Sequence, residues 1–179
     1  MPTMRSPYRL TPATRGLAGY IVLSSAYNRQ LMGFLEEFIG GRGFNALVFG
    51  VLIAAGTAVL IYSLKKIARA KFWVLVILLV LAFVAAVFMK ITAERVHILE
   101  YGLLGWLCCR DSGRSGPPLR AAVWAALAAT LVGVADELFQ KALPYRVCDV
   151  RDMITNALSA FWGTAVYYFV VARRKPATI

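Results

Sequence analysis

The stretch FWVLVILLVLAFVAAVFM, Phe72–Met89, has no charged side chain and no break in its apolar character. A hydrocarbon core about 30 Å thick takes roughly 17–25 mostly apolar helical residues to cross. In lipid, only helices and closed barrels satisfy their own backbone groups. The run is continuous rather than alternating, so it predicts a membrane-spanning helix and excludes a barrel strand. The stretch before it, FNALVFGVLIAAGTAVLIYSL, Phe44–Leu64, predicts a second span on the same ground.

Working outward, a shorter run from Val96 to Cys109 carries His97 and Glu100 at its start. Another runs from Leu119 to about Val134 and continues as an amphipathic stretch to Leu143, and a last one runs from about Met153 to Ala172. The first forty residues are more polar. Leu17–Tyr27 is apolar, Asn28, Arg29 and Gln30 interrupt it, and Leu31–Ile39 carries Glu36 and Glu37. An Arg at mid-membrane costs about 2.5–3.5 kcal/mol even on the lenient insertion scale. An interfacial or partly inserted amphipathic helix is therefore expected, with a sixth span as the alternative. Gly40-Gly41-Arg42-Gly43 should break the helix before the first clear span. The expected fold is all-α: a polytopic transmembrane bundle of about five spans, residues 44–179, preceded by an amphipathic region, residues 1–43.

Composition agrees. Of 179 residues, 60% are apolar and 16% charged, against about 45–50% and about 25% in ordinary soluble domains. A water-soluble globule, a disordered chain and a disulfide scaffold are excluded. The net charge of +11 would suggest nucleic acid on a soluble protein. Here its placement explains it. Lys65, Lys66, Arg69, Lys71, Arg110, Arg114, Arg120, Arg173, Arg174 and Lys175 fall on one side, with Asp111 as the only acid there. Arg42, Lys90, Arg95, Lys141, Arg146 and Arg151 fall on the other, matched by Glu94, Glu100, Asp136, Glu137, Asp149 and Asp152. The positive-inside rule makes the first side cytoplasmic, the C-terminus with it. No nucleic-acid partner is expected.

Nearly every acid after Glu37, and the single His, then fall on the outward side, from three segments. His97, Glu100, Tyr101 and Leu104 share one helix face at i, i+3, i+4, i+7. His is the side chain best suited to move a proton near neutral pH, and a nearby carboxylate stabilises its imidazolium. Asp136, Glu137 and Gln140 lie on one side of a helix end. Pro144 precedes Arg146, a planar clamp for a phosphate or carboxylate. Asp152, Asn156, Ser159 and Gly163 make a polar-to-small stripe down the last span, and small residues let a neighbouring helix come close. Trp106, Trp124, Trp162, Tyr167 and Tyr168 fit packing or interface anchoring instead.

At these residues the sequence resembles the VanZ-like family of bacterial membrane proteins, named after a teicoplanin-resistance protein. The resemblance rests on His97-x-x-x-Tyr101-x-x-Leu104, Asp136-Glu137-x-x-Gln140, Pro144-x-Arg146, Asp152, Asn156 and Gly163, over roughly residues 90–170. Tyr145 stands where many members have Gly, and Ser159 where Gly is common. The resemblance implies a helical bundle in the bacterial cytoplasmic membrane. It also implies a distant likeness to membrane enzymes that exchange lipid head groups.

Two functions follow as expectations. The first is an intramembrane enzyme acting from the outer face on phosphate-linked lipid head groups, linked to glycopeptide resistance. His97 would be the general base, Glu100 and Glu137 would orient it or bind the incoming alcohol, and Asp152 would complete the polar wall. Tyr101, Asp136, Gln140, Arg146 and Asn156 would bind substrate, with Arg146 on the phosphate. The second is a non-catalytic lipid- or glycopeptide-binding protein, or an accessory subunit of a larger membrane complex, its polar cluster a buried network. Membrane lipids are the expected partners in both, other membrane subunits in the second. A divalent cation could sit among the carboxylates, but one His with scattered acids is not a diagnostic ligand set, so no metal ligand is assigned.

Overall fold

The uncharged stretch that opens at Phe72 lies inside a helix that starts three residues earlier and ends one residue before Met89. The computed structural model of the protein describes residues 10–92, 94–113, 117–146 and 148–172. Five helices make it up: α1 Pro12–Leu64, α2 Arg69–Phe88, α3 Glu94–Ser112, α4 Leu119–Lys141 and α5 Val150–Ala165. The last continues as a π-helical turn, Val166–Val171, in which the Ala172 N–H donates to Tyr167 O at 2.8 Å. No strand occurs among the described residues. Arg114, Arg173, Arg174 and Lys175, counted above for orientation, lie outside them.

Four helices, α1, α2, α4 and α5 with its extension, are long and apolar enough to cross a membrane. Their surfaces agree with that. On α2 only Leu75 and Ala86 are buried, while Trp73, Ile77, Val80, Leu81, Val87 and Phe88 face outward. In water such a surface would be strongly unfavourable; in lipid it matches the solvent.

The short third run expected to span is the exception. α3 carries Glu94, Arg95, Glu100, Arg110 and Asp111 and is not apolar enough to qualify by composition. It is the hub of the bundle, packed on α5, α4 and α1, so its polar side chains face protein rather than lipid. Nineteen residues give it a length of about 28 Å, close to the thickness of a hydrocarbon core.

α3 and α5 approach through small residues. A Cβ on Gly163 would sit 1.8 Å from Gly102 O, and one on Gly105 would sit 2.1 Å from Ala160 O. Thr164 Oγ1 donates to Gly105 O at 3.2 Å across the same contact. α4 offers an alanine face, Ala121, Ala122, Ala125, Ala126 and Ala129, all buried. α2 is tied on by Trp162 Nε1, which donates to Leu78 O at 2.8 Å, and by Lys71 Nζ, which donates to Ala172 O at 2.9 Å.

The helix break expected at the glycine cluster falls at Gly40, with φ 76° and ψ 153°. That left-handed φ strains any residue with a Cβ. α1 is therefore two segments, 12–39 and 41–64. Their placement bears on whether the N-terminal region traverses the bundle. Asp111, at the far end of α3, accepts from Thr11 N at 2.7 Å and from Thr14 Oγ1 at 2.5 Å, so it holds the helix start. Asn45 lies at the opposite end of α3, where it accepts from Thr92 Oγ1 at 3.4 Å and from the Arg95 guanidinium. Between Thr11 and Asn45 the chain passes the full length of α3. Segment 12–39 thus packs along the bundle, not across one end of it.

Arg95 closes that corner. Its Nε donates to Ala86 O at 2.8 Å and its Nη2 to Met89 O at 2.7 Å, at the C-terminus of α2. A cation there satisfies terminal carbonyls and complements the helix dipole. Its guanidinium carbon, Cζ, lies 4.5 Å from the centroid of the Phe49 ring.

Candidate functional site

The start of α3, the end of α4 and the start of α5 meet at one end of the bundle, and the polar residues of the three segments meet with them. His97 lies one turn into α3. Its Nδ1 donates to Asn156 Oδ1 of α5 at 2.7 Å, since an amide oxygen can only accept. That bond assigns the proton to Nδ1 and leaves Nε2 as the free basic nitrogen. The imidazole stacks on Tyr101, with centroids 5.7 Å apart and planes 14° from parallel. Tyr101 is fully buried and donates through its hydroxyl to Asp136 Oδ2 at 2.8 Å. Gly133, one helical turn before Asp136, makes room for this: a Cβ there would lie 2.8 Å from Asn156 Cβ and 3.2 Å from Tyr101 Cε1.

Gln140 joins the pieces at the end of α4. Its amide nitrogen donates to Asp136 Oδ2 at 3.2 Å and to Glu137 Oε1 at 3.3 Å. Its amide oxygen accepts from the Arg146 guanidinium. Glu137, wholly buried, also accepts from Asp149 N at 3.1 Å, which pins the α4–α5 connection. Asp149 caps α5 and accepts from Arg151 N at 2.8 Å. That backbone bond, together with the Arg151 guanidinium, holds its carboxyl below the usual aspartate range. Arg151 also reaches Glu94 at 3.2 Å, bridging the starts of α5 and α3.

A cavity of about 470 Å³ opens in this end of the molecule. His97, Glu100, Asp136, Gln140 and Arg146 line it. Tyr101, Glu137, Asp152 and Asn156 do not; Tyr101, Glu137 and Asn156 hold wall residues by hydrogen bonds, while the Asp152 side chain makes none among the described residues. Among the described residues, four buried polar atoms here make no hydrogen bond: Asp136 Oδ1, Arg146 Nε, Asp152 Oδ1 and Asn156 Nδ2. Two of the four, on Asp136 and Arg146, belong to residues of the cavity wall.

The opposite wall comes from α1, which contributed no candidate residue. Ile21, Ser25, Asn28, Arg29, Met32, Gly33 and Glu36 form one helical stripe along it, and Lys90 and Thr92 close the rim. The signal was present in the sequence: a period of three and four running through 21, 25, 28, 32 and 36. Asn28 and Arg29 interrupt an apolar run because that face borders a cavity. Tyr145 fastens this wall down, its hydroxyl donating to Ala26 O at 3.1 Å.

Among the described residues, no group of three His, Cys, Asp or Glu side chains is arranged to hold a metal ion. The chemistry on offer is a basic nitrogen, a guanidinium and carboxylates around one cavity. The chain belongs to the VanZ/LLP1 family, whose model matches residues 3–171. The match extends well beyond the stretch that carries the quoted motifs and takes in the α1 wall. No curated protein matches the chain, and no solved structure does.

Proposed function

We propose that this member of the VanZ/LLP1 family is an intramembrane enzyme that modifies or exchanges phosphate-linked lipid head groups in the cavity between α1, α3 and α4, from the outer face of the bacterial cytoplasmic membrane. One observation carries the reading. His97 and Arg146, from different segments, line the same cavity, and His97 has its Nδ1 committed to Asn156. An imidazole held in one tautomer beside a guanidinium suits attack of an oxygen on phosphorus.

In this reading Arg146 binds the phosphate and stabilises charge as the new bond forms. Nε2 of His97 takes the proton from the attacking alcohol or water. The oxygen–phosphorus bond to the incoming group forms as the bond to the old head group breaks. The departing alkoxide then takes the proton back from the imidazolium. Glu100, one turn from His97 on the cavity wall, binds the incoming alcohol. Tyr101 and Asn156 position the ring, and Glu137 and Asp152 complete the polar support. An altered head group changes the surface charge that a glycopeptide meets at the envelope, which supplies a link to teicoplanin-type resistance.

A second reading is a non-catalytic lipid- or glycopeptide-binding protein or accessory subunit. It draws on Glu137 and Asp152 standing behind the wall, and on the bonds from Gln140 and Asp149 that make Glu137 a structural tie. His97→Gln separates the two, since Gln keeps size and hydrogen bonding but not basicity. Purified protein is incubated with labelled phospholipid and an alcohol acceptor, and new head groups are measured. Wild-type protein should form product, and the folded variant should turn over about 10²–10⁴-fold more slowly. Equal turnover would remove His97 as base. Lipid binding without product in the wild-type protein would favour the second reading.

A further inference from the structure

The cavity wall carries three cationic side chains, Arg29, Lys90 and Arg146, and three carboxyl side chains, Glu36, Glu100 and Asp136. Opposite charges that line one cavity can pair. Among the described residues none of these six does; the ion pairs are Arg110–Asp111, Arg151–Glu94 and Arg151–Asp149, all outside the cavity. Gln140 shows how two of the six are kept apart. Its amide stands between Asp136 and Arg146, donating to the one and accepting from the other.

Each of those two keeps an unpartnered atom of opposite demand. Asp136 is 2% exposed, and its Oδ1 has no donor. Arg146 Nε has no acceptor. A buried group left so is unfavourable unless a ligand completes it. A head group that is only anionic would complete Arg146 and be repelled by Asp136.

Resting on the head-group reading above, we infer that the cavity takes an amphoteric phosphate ester: a phosphate seated at Arg146 and, a short carbon linker away, a primary ammonium donating to Asp136 Oδ1. The ammonium must have N–H groups to donate, so a quaternary amine of equal charge does not serve. A phospholipid head group and its free phosphoester share this chemistry.

The test is calorimetric titration of the purified full chain in detergent with five probes. These are dihexanoyl phosphatidylethanolamine, dihexanoyl phosphatidylglycerol, dihexanoyl phosphatidylcholine, O-phosphoethanolamine and inorganic phosphate. The ethanolamine lipid should bind at least about tenfold tighter than the glycerol and choline lipids, the scale of one charge-assisted hydrogen bond. Asp136→Asn should abolish that preference, the glycerol lipid binding more tightly than to the wild-type protein once the repulsion is gone. Glu36→Gln serves as a control on the opposite wall, retaining a preference over the choline lipid. Equal binding of the three lipids by the wild-type protein overturns the inference while leaving the head-group reading intact, and that comparison needs no variant to fold. Failure of every phosphate probe to bind overturns the head-group reading itself. O-phosphoethanolamine binding as tightly as the lipid identifies the free phosphoester as the ligand; binding far more weakly identifies the lipid. Both results support the shared chemistry.

Discussion

At the scale of single residues, the site depends on a buried carboxylate with few donors. Asp136 Oδ2 accepts from Tyr101 and Gln140, while its other oxygen has no partner. Tyr101→Phe removes one of the two donors and keeps the ring that stacks on His97. The variant should lose about 1–3 kcal/mol of stability, seen as a lower melting midpoint in detergent by circular dichroism. An unchanged midpoint would mean that the hydroxyl bond does not hold Asp136. Much of this cluster was legible in the sequence. His97 with Tyr101, and Asp136 with Gln140, stand at i and i+4 near helix ends, where a charged side chain has reason to turn inward. Asn28, Arg29 and Glu36 show there only through their helical period, because an Arg within an apolar run reads as an insertion penalty until the cavity it borders is known. Arg95 misled in the opposite sense. It counts as a loop charge by position, yet it is buried and caps α2.

At the scale of elements, the α3–α5 contact has the least room in the molecule. Gly163→Ala would put a methyl 1.8 Å from Gly102 O, a backbone atom that moves only with its helix. The two helices must separate, taking Asn156 away from His97. We expect a loss of about 1–3 kcal/mol together with loss of head-group turnover. Gly16→Ala on α1, with nothing within 4 Å of the added carbon, should be neutral or stabilising by up to about 1 kcal/mol. Thermal denaturation of both variants tests the pair, and equal midpoints would contradict the packing. The stripe Asp152, Asn156, Ser159 and Gly163 announced this face of α5 through its small residues. The partner glycines of α3 are visible only once the crossing is known, because a glycine in an apolar run reads equally well as a kink.

At the scale of the whole molecule, basic side chains cluster at one end of the bundle and the cavity opens at the other. Under the proposed orientation the Lys65–Lys66 end faces the cytoplasm. In a variant with Cys108, Cys109 and Cys148 replaced by Ser, Lys66→Cys should react with a membrane-impermeant maleimide only after the cells are opened. Ala142→Cys, on an exposed turn near the cavity, should react in intact cells. The reverse pattern would place the cavity on the cytoplasmic side. All five runs are recognisable in the sequence, and four of the helices they form are long and apolar enough to span by composition, α3 being the exception. α3 is too polar to enter lipid alone, and it is nevertheless the element on which α1, α4 and α5 all pack. Its assembly must therefore follow a different order from its position in the chain. While the ribosome is still making α4, Arg110 already has Asp111 and Thr11 as partners, but the Glu100 end of α3 has not yet met α4 and α5, so we expect α3 to stay beside the aqueous channel of the insertion machinery. Only when α4 and α5 have emerged can the three move into the bilayer as one unit, which makes the newly made chain most vulnerable to quality-control proteases in the interval before α5 arrives.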